Sequence, residues 1–193
     1  MVAIYEPLTR FLTPERAAEL ADARLFADDV PGITTAYERL SATWDETVGR
    51  ARQLDVAQLD EQVGGEWSFI ETLRHLVFVT NLWVVEMIEE EPAPHHPWGM
   101  PPDFLPPDAV AAMGLTVEAR PSLDEVCSVR EDGRARVRRV LAGLAPDGLA
   151  RACTPRDGQF QVVGALQCVL FEEWAHHQYA TRDLAVLEQT PRA

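Results

Sequence analysis

The chain has 193 residues, 47% of them hydrophobic, and a formal net charge of −14. That length fits one domain able to bury a core without disulfides, and the acidity disfavours nucleic-acid phosphates and anionic membrane surfaces as partners. All 17 basic residues are arginine, which excludes Schiff-base chemistry and a lysine general base.

Residues 1–29 read as an N-terminal arm and 30–193 as the domain proper. Within the arm, Thr13-Pro14-Glu15 has the form of a helix start, with threonine as N-cap and proline at the first helical position. Asp28-Asp29-Val30-Pro31-Gly32 reads as a break. The N-terminus lacks the basic and apolar regions of a signal peptide. No uncharged apolar stretch reaches the roughly 18 residues of a membrane span. A cytoplasmic location is the expectation.

A first long helix is expected over about residues 32–54, because Ile33, Tyr37, Leu40, Trp44 and Val48 recur at helical spacing. Ser68-x-x-Glu71 is a capping box and opens a second helix that should run to about Glu89. That helix is apolar on most sides, so neighbours should enclose it, and it carries His75. Residues 90–121 form a long connection that holds eight of the 14 prolines, too many for a continuous helix. His95, His96, Trp98, Met100 and Phe104 lie within it. A second capping box, Ser122-x-x-Glu125, opens a third helix ended by Gly143 and Pro146. Arg130, Arg134, Arg136, Arg138 and Arg139 give it a charged outer face, expected to be solvated, with an anion site as the lesser alternative. The fourth helix is expected from about Val162 to Glu188. Four amphipathic helices with a proline-rich crossover between the second and third describe an all-α four-helix bundle.

The chemistry concentrates at Glu172-Glu173-Trp174-Ala175-His176-His177. Glu172/His176 and Glu173/His177 are both i,i+4 pairs, so either could present a carboxylate and an imidazole on one helical face. With Leu166 at the origin of a helical wheel, Glu173 and His177 fall at about 340° and about 20°, the centre of the apolar face. Glu172 and His176 fall at about 240° and about 280°, its margin. A carboxylate centred on an apolar face is costly unless paired or metal-bound. The wheel therefore favours His75, Glu173 and His177 as ligands of zinc, nickel or iron, with His75, Glu172 and His176 as the alternative register. Cys168 with Glu172 and His176 forms a rival set, but the wheel places Cys168 near 200°, on about the polar side. Glu71, also four residues from His75, is better explained by its capping box. Cys127, Cys153 and Cys168 are odd in number and widely spaced, which argues against a disulfide framework.

The segments Glu66-Trp67-Ser68…Thr72-Leu73-Arg74-His75-Leu76 and Glu172-Glu173-Trp174-Ala175-His176-His177-Gln178 resemble the DinB-like superfamily over residues 30–189. That superfamily includes damage-inducible proteins, bacillithiol transferase-like proteins and mycothiol-dependent maleylpyruvate isomerases. The resemblance implies a four-helix bundle with a long crossover, frequent homodimers, and a divalent metal held by one histidine on the second helix and an i,i+4 pair on the last. Laying the family's His-His doublet on His176-His177 makes His177 a ligand with Glu173, and a shift by one residue gives Glu172 and His176. It further implies a metal-dependent transferase or isomerase that uses a low-molecular-weight thiol such as mycothiol or bacillithiol on a small-molecule substrate. Arg182 or a third-helix arginine would then bind the thiol's acidic groups. A metal-dependent hydrolase is the neighbouring activity. A non-catalytic, stress-related or partner-binding bundle, with the Glu/His pairs merely satisfied, is the competing class.

Overall fold

A computed structural model describes residues 27–145, 147–153 and 160–189, and the expected helix start at Thr13 lies outside them. The helices are α1 (Val30–Ala51), α2 (Val56–Leu59), α3 (Phe69–Thr80), α4 (Pro107–Ala112), α5 (Leu123–Gly143) and α6 (Val162–Leu187). Among the described residues, none is long and apolar enough to cross a membrane.

Local chemistry sets the ends. The expected break at 28–32 is instead a cap: Asp29 accepts from the Gly32 amide at 2.6 Å, and Pro31 sits in the first turn of α1. Both capping boxes form, Ser68 with Glu71 and Ser122 with Glu125. The second helix does not stay α-helical to Glu89. It widens into a π-helical segment, Asn81–Glu86. There Asn81 accepts from the His96 amide at 2.8 Å, and Glu86 meets His95 Nε2 at 3.1 Å. The wider turn therefore brings two polar side chains, five residues apart, onto the side facing the crossover.

α1 packs on α6, α6 on α3, α3 on α5, and α5 more lightly on α1, which closes a four-helix bundle. The cross-helix pairs give the directions. Trp44 with Glu173, Thr47 with His177 and Arg50 with Glu188 make α1 and α6 parallel. Glu38 with Arg138, Asp45 with Arg134 and Arg52 with Asp124 make α1 and α5 antiparallel. Thr80 against Gly133 and Glu89 with Arg136 make α3 and α5 parallel. Two parallel neighbours require the chain to return along the bundle. For the 21 residues of α5, that is about 30 Å.

Residues 87–122 make this return, carrying only the short helix α4. Arg74, fully buried in α3, pins them: its Nε donates to the Trp98 carbonyl at 2.9 Å and its Nη2 to the Thr116 carbonyl at 2.8 Å. The Met100 amide donates back to the Arg74 carbonyl at 3.1 Å.

The core divides into two apolar clusters. One gathers Ile33, Tyr37, Leu40, Trp83, Leu166 and Val169, and the other Trp44, Phe69, Leu73, Leu76, Val126 and Leu184. Arg130 was expected on the solvated face of α5, but it is buried and paired with Glu173 of α6 at 3.0 Å. Val126, Arg130, Val137 and Leu141 are the buried residues of α5, at spacings of four, seven and four, so Arg130 lies on the apolar stripe itself. Its guanidinium also stands 5.1 Å from the Trp44 ring centroid.

Candidate metal centre

His75 stands two turns into α3, and Glu172 and His176 stand one turn apart on the facing side of the antiparallel α6. Each offers one ligand atom within 4.8 Å of the other two. Side-chain exposure rises outwards, 7% for His75, 15% for His176 and 23% for Glu172. The cluster thus sits at the bundle's rim, and His176 also lines a cleft of about 360 Å³ with Glu66, Trp67, Thr72, Tyr179 and Asp183.

Hydrogen bonds fix both imidazoles. His75 Nδ1 lies 2.9 Å from the Met100 carbonyl. A carbonyl only accepts, so Nδ1 carries the proton and Nε2 presents a lone pair. That lone pair faces Glu172 Oε2 at 3.8 Å, too far for a hydrogen bond. His176 Nδ1 lies 3.0 Å from the backbone carbonyl of Glu172 and 3.3 Å from its carboxylate, which likewise leaves Nε2 as the acceptor. Trp67 packs on both rings, 4.6 Å from His75 and 6.1 Å from His176 between centroids.

Burial pushes the His75 imidazole below its ordinary value, against the opposing pull of Glu172. Burial raises the Glu172 carboxyl, but the His176 imidazole, whose Nδ1–H points at it, more than offsets this and holds the carboxyl below its usual range. A neutral imidazole beside an ionised carboxylate is the protonation state that metal ligation needs. The donor set therefore fits a divalent cation. His75 Nε2, the Glu172 carboxylate and a ring nitrogen of His176 lie within 4.8 Å of one another, and outer hydrogen bonds already orient both rings.

Glu173 and His177 stand outside this cluster. Glu173 points across the bundle to Arg130, and His177 turns to Thr47 Oγ1 at 2.8 Å and to the edge of Trp44. The cost that seemed to demand a metal at Glu173 is met by a buried guanidinium. Cys168 is 3% exposed and packs in the core, on neither the polar side nor the cluster. Glu71 is taken by its cap and by Gln62. Arg182 is tied to Glu66 and Asp183. His95 and His96 line a different cleft. Met100 and Trp67 were given no role by the sequence. A carbonyl ligand partner leaves no trace in residue type, whereas Trp67, eight residues before a candidate ligand, is a signal that helical periodicity could not place because it precedes the helix.

An all-α bundle whose rim gathers two histidines and a glutamate able to hold a metal ion defines a class of helical metal-site proteins. The family model for the DinB superfamily matches residues 39–180, and the chain belongs to that superfamily. Its members commonly bind divalent metal. No curated protein and no solved structure matches the chain.

Proposed function

We propose that this protein binds a divalent metal ion through His75, Glu172 and His176, and uses it on a small molecule held in the adjoining cleft. The observation that carries the reading is the facing pair of acceptors, His75 Nε2 and Glu172 Oε2, 3.8 Å apart. With the His75 proton committed to Met100, two lone-pair-bearing atoms confront each other, an arrangement that a cation between them relieves. Three protein ligands leave coordination positions for water or substrate, as catalytic sites do. The metal would lower the pKa of a low-molecular-weight thiol and hold it as a thiolate nucleophile. Mycothiol and bacillithiol are the thiols that the superfamily suggests, and transfer or isomerisation the reactions. The chain's own residues orient the ligands through Met100, shield them with Trp67, and shape the cleft with Glu66, Thr72, Tyr179 and Asp183.

Elemental analysis after dialysis against zinc tests the reading on the full chain. About one metal per chain is expected, with affinity lowered more than about 100-fold in Glu172→Gln or His176→Ala, because changes to outer partners alone cost about 10–100-fold. Glu173→Gln should keep its metal. Wild-type protein whose zinc content after dialysis is negligible, and whose melting temperature ignores both chelator and added zinc, would sink the proposal. Retention of metal by Glu172→Gln with loss in Glu173→Gln would transfer the site to the other register.

A further inference from the structure

A second cleft, of about 560 Å³, opens between α3 with its π-helical end, α5 and the crossover. It shares no lining residue with the cleft beside His176. Arg130, Arg134, Arg136 and Arg139 line it against Asp132 and Glu173, four positive charges against two negative in a chain of net charge −14. Asp45, Glu131, Glu89 and Glu91 pair with Arg134 and Arg136 from outside the lining, so any positive potential in the cleft rests on Arg139.

The arginines differ in what they already hold. Arg130 is engaged by Glu173, Arg134 by Asp45 and Glu131, and Arg136 by Glu89 and Glu91. Arg139 forms no hydrogen bond or ion pair among the described residues, so its planar fork of donors is available to a ligand.

The opposite wall is the histidine doublet, held by the π-helical segment. His96 Nδ1 accepts from the Trp98 amide at 3.2 Å, which places the proton of the neutral ring on Nε2 as a donor. His95 turns Nε2 to Glu86 at 3.1 Å, and its Nδ1 is buried with no partner among the described residues. Buried polar atoms nearly always find partners; with Nε2 donating to the Glu86 carboxylate, this Nδ1 is an acceptor, suited to a hydroxyl or N–H of a ligand and not to an oxyanion itself. Both histidines and the one unengaged guanidinium among the four arginines thus line the same cleft.

We propose that this cleft binds the oxyanion group of a small molecule, a carboxylate or a phosphate, with Arg139 and His96 as its donors. The site is independent of the metal reading, since none of its lining residues belongs to the His75 cluster.

Inorganic phosphate and succinate are the probes, titrated calorimetrically into the full chain at fixed ionic strength so that bulk screening stays constant. The titration is run on chelated and dialysed protein and again on zinc-loaded protein. Saturable binding of one anion per chain is expected in both, weakened about ten-fold or more in Arg139→Gln and in His96→Ala. Arg139 has no partner to lose among the described residues, and both variants are read only from protein with an unchanged circular-dichroism spectrum. Binding of phosphate alone assigns a phosphoryl ligand, and binding of succinate, with or without phosphate, a carboxylate. The proposal is overturned if neither anion saturates, if Arg139→Gln binds as tightly as wild type, or if binding appears only in the zinc-loaded protein.

Discussion

Replacing Arg130 by methionine is expected to lower the unfolding free energy by about 3–5 kcal/mol, the cost of leaving one partner of a buried ion pair without the other. Arg130 and Glu173 are 8% and 5% exposed and 3.0 Å apart. Their bond joins α5 to α6 across the bundle, between the two halves of the core. Removing the guanidinium strands a carboxylate there and ends the contact with the Trp44 ring. The double replacement Arg130→Met with Glu173→Leu should recover most of the loss, because an apolar pair of similar size removes both desolvation costs. Urea unfolding of wild type, single and double variants at pH 7 checks this, and a single variant within about 1 kcal/mol of wild type would refute the assignment.

The same pair explains how far the sequence could be read. Apolar periodicity recovered all four long helices, and both capping boxes marked true starts, because each signal is local. The wheel correctly placed Glu173 on the buried face of α6, where it is 4% exposed. Burial alone, however, does not say what compensates a charge. That information sat on α5, where Arg130 occupies the stripe of Val126, Val137 and Leu141, an arginine at an apolar position that needs a buried acid. The two facts meet only through the tertiary arrangement that sets α5 diagonally across from α6. A rim position is also what a site with an open coordination position requires, since substrate must reach it. Glu172 and His176 lie at the margin of the wheel, where His176 borders the cleft of Trp67 and Tyr179. The π-helical segment and the backbone partner of His75 had no readable local signal, the first because six residues are too few to set a period of their own, the second because every residue has a carbonyl.

Arg74→Met is expected to cost about 2–4 kcal/mol and to weaken zinc binding about 10–100-fold, although Arg74 touches no ligand. Arg74 is fully buried, and its guanidinium joins two points of the crossover, the carbonyls of Trp98 and Thr116. Hydrogen bonds from a charged donor are the stronger kind, at about 1.5–3 kcal/mol each, and their loss leaves both carbonyls to find other partners. Between those anchors lies Met100, whose carbonyl fixes the tautomer of His75. Its amide bond to the Arg74 backbone survives in the variant, so the carbonyl is loosened and not released. The effect on zinc should therefore be smaller than deletion of a ligand. Arg74→Lys is the informative companion. Its single ammonium keeps the charge but cannot span both carbonyls in the planar geometry of a guanidinium, so it should retain part of the stability and still lose metal affinity. Denaturation and zinc titration of both variants separate the two effects. A variant that loses stability yet binds zinc as tightly as wild type would show that the crossover covers the centre without orienting it.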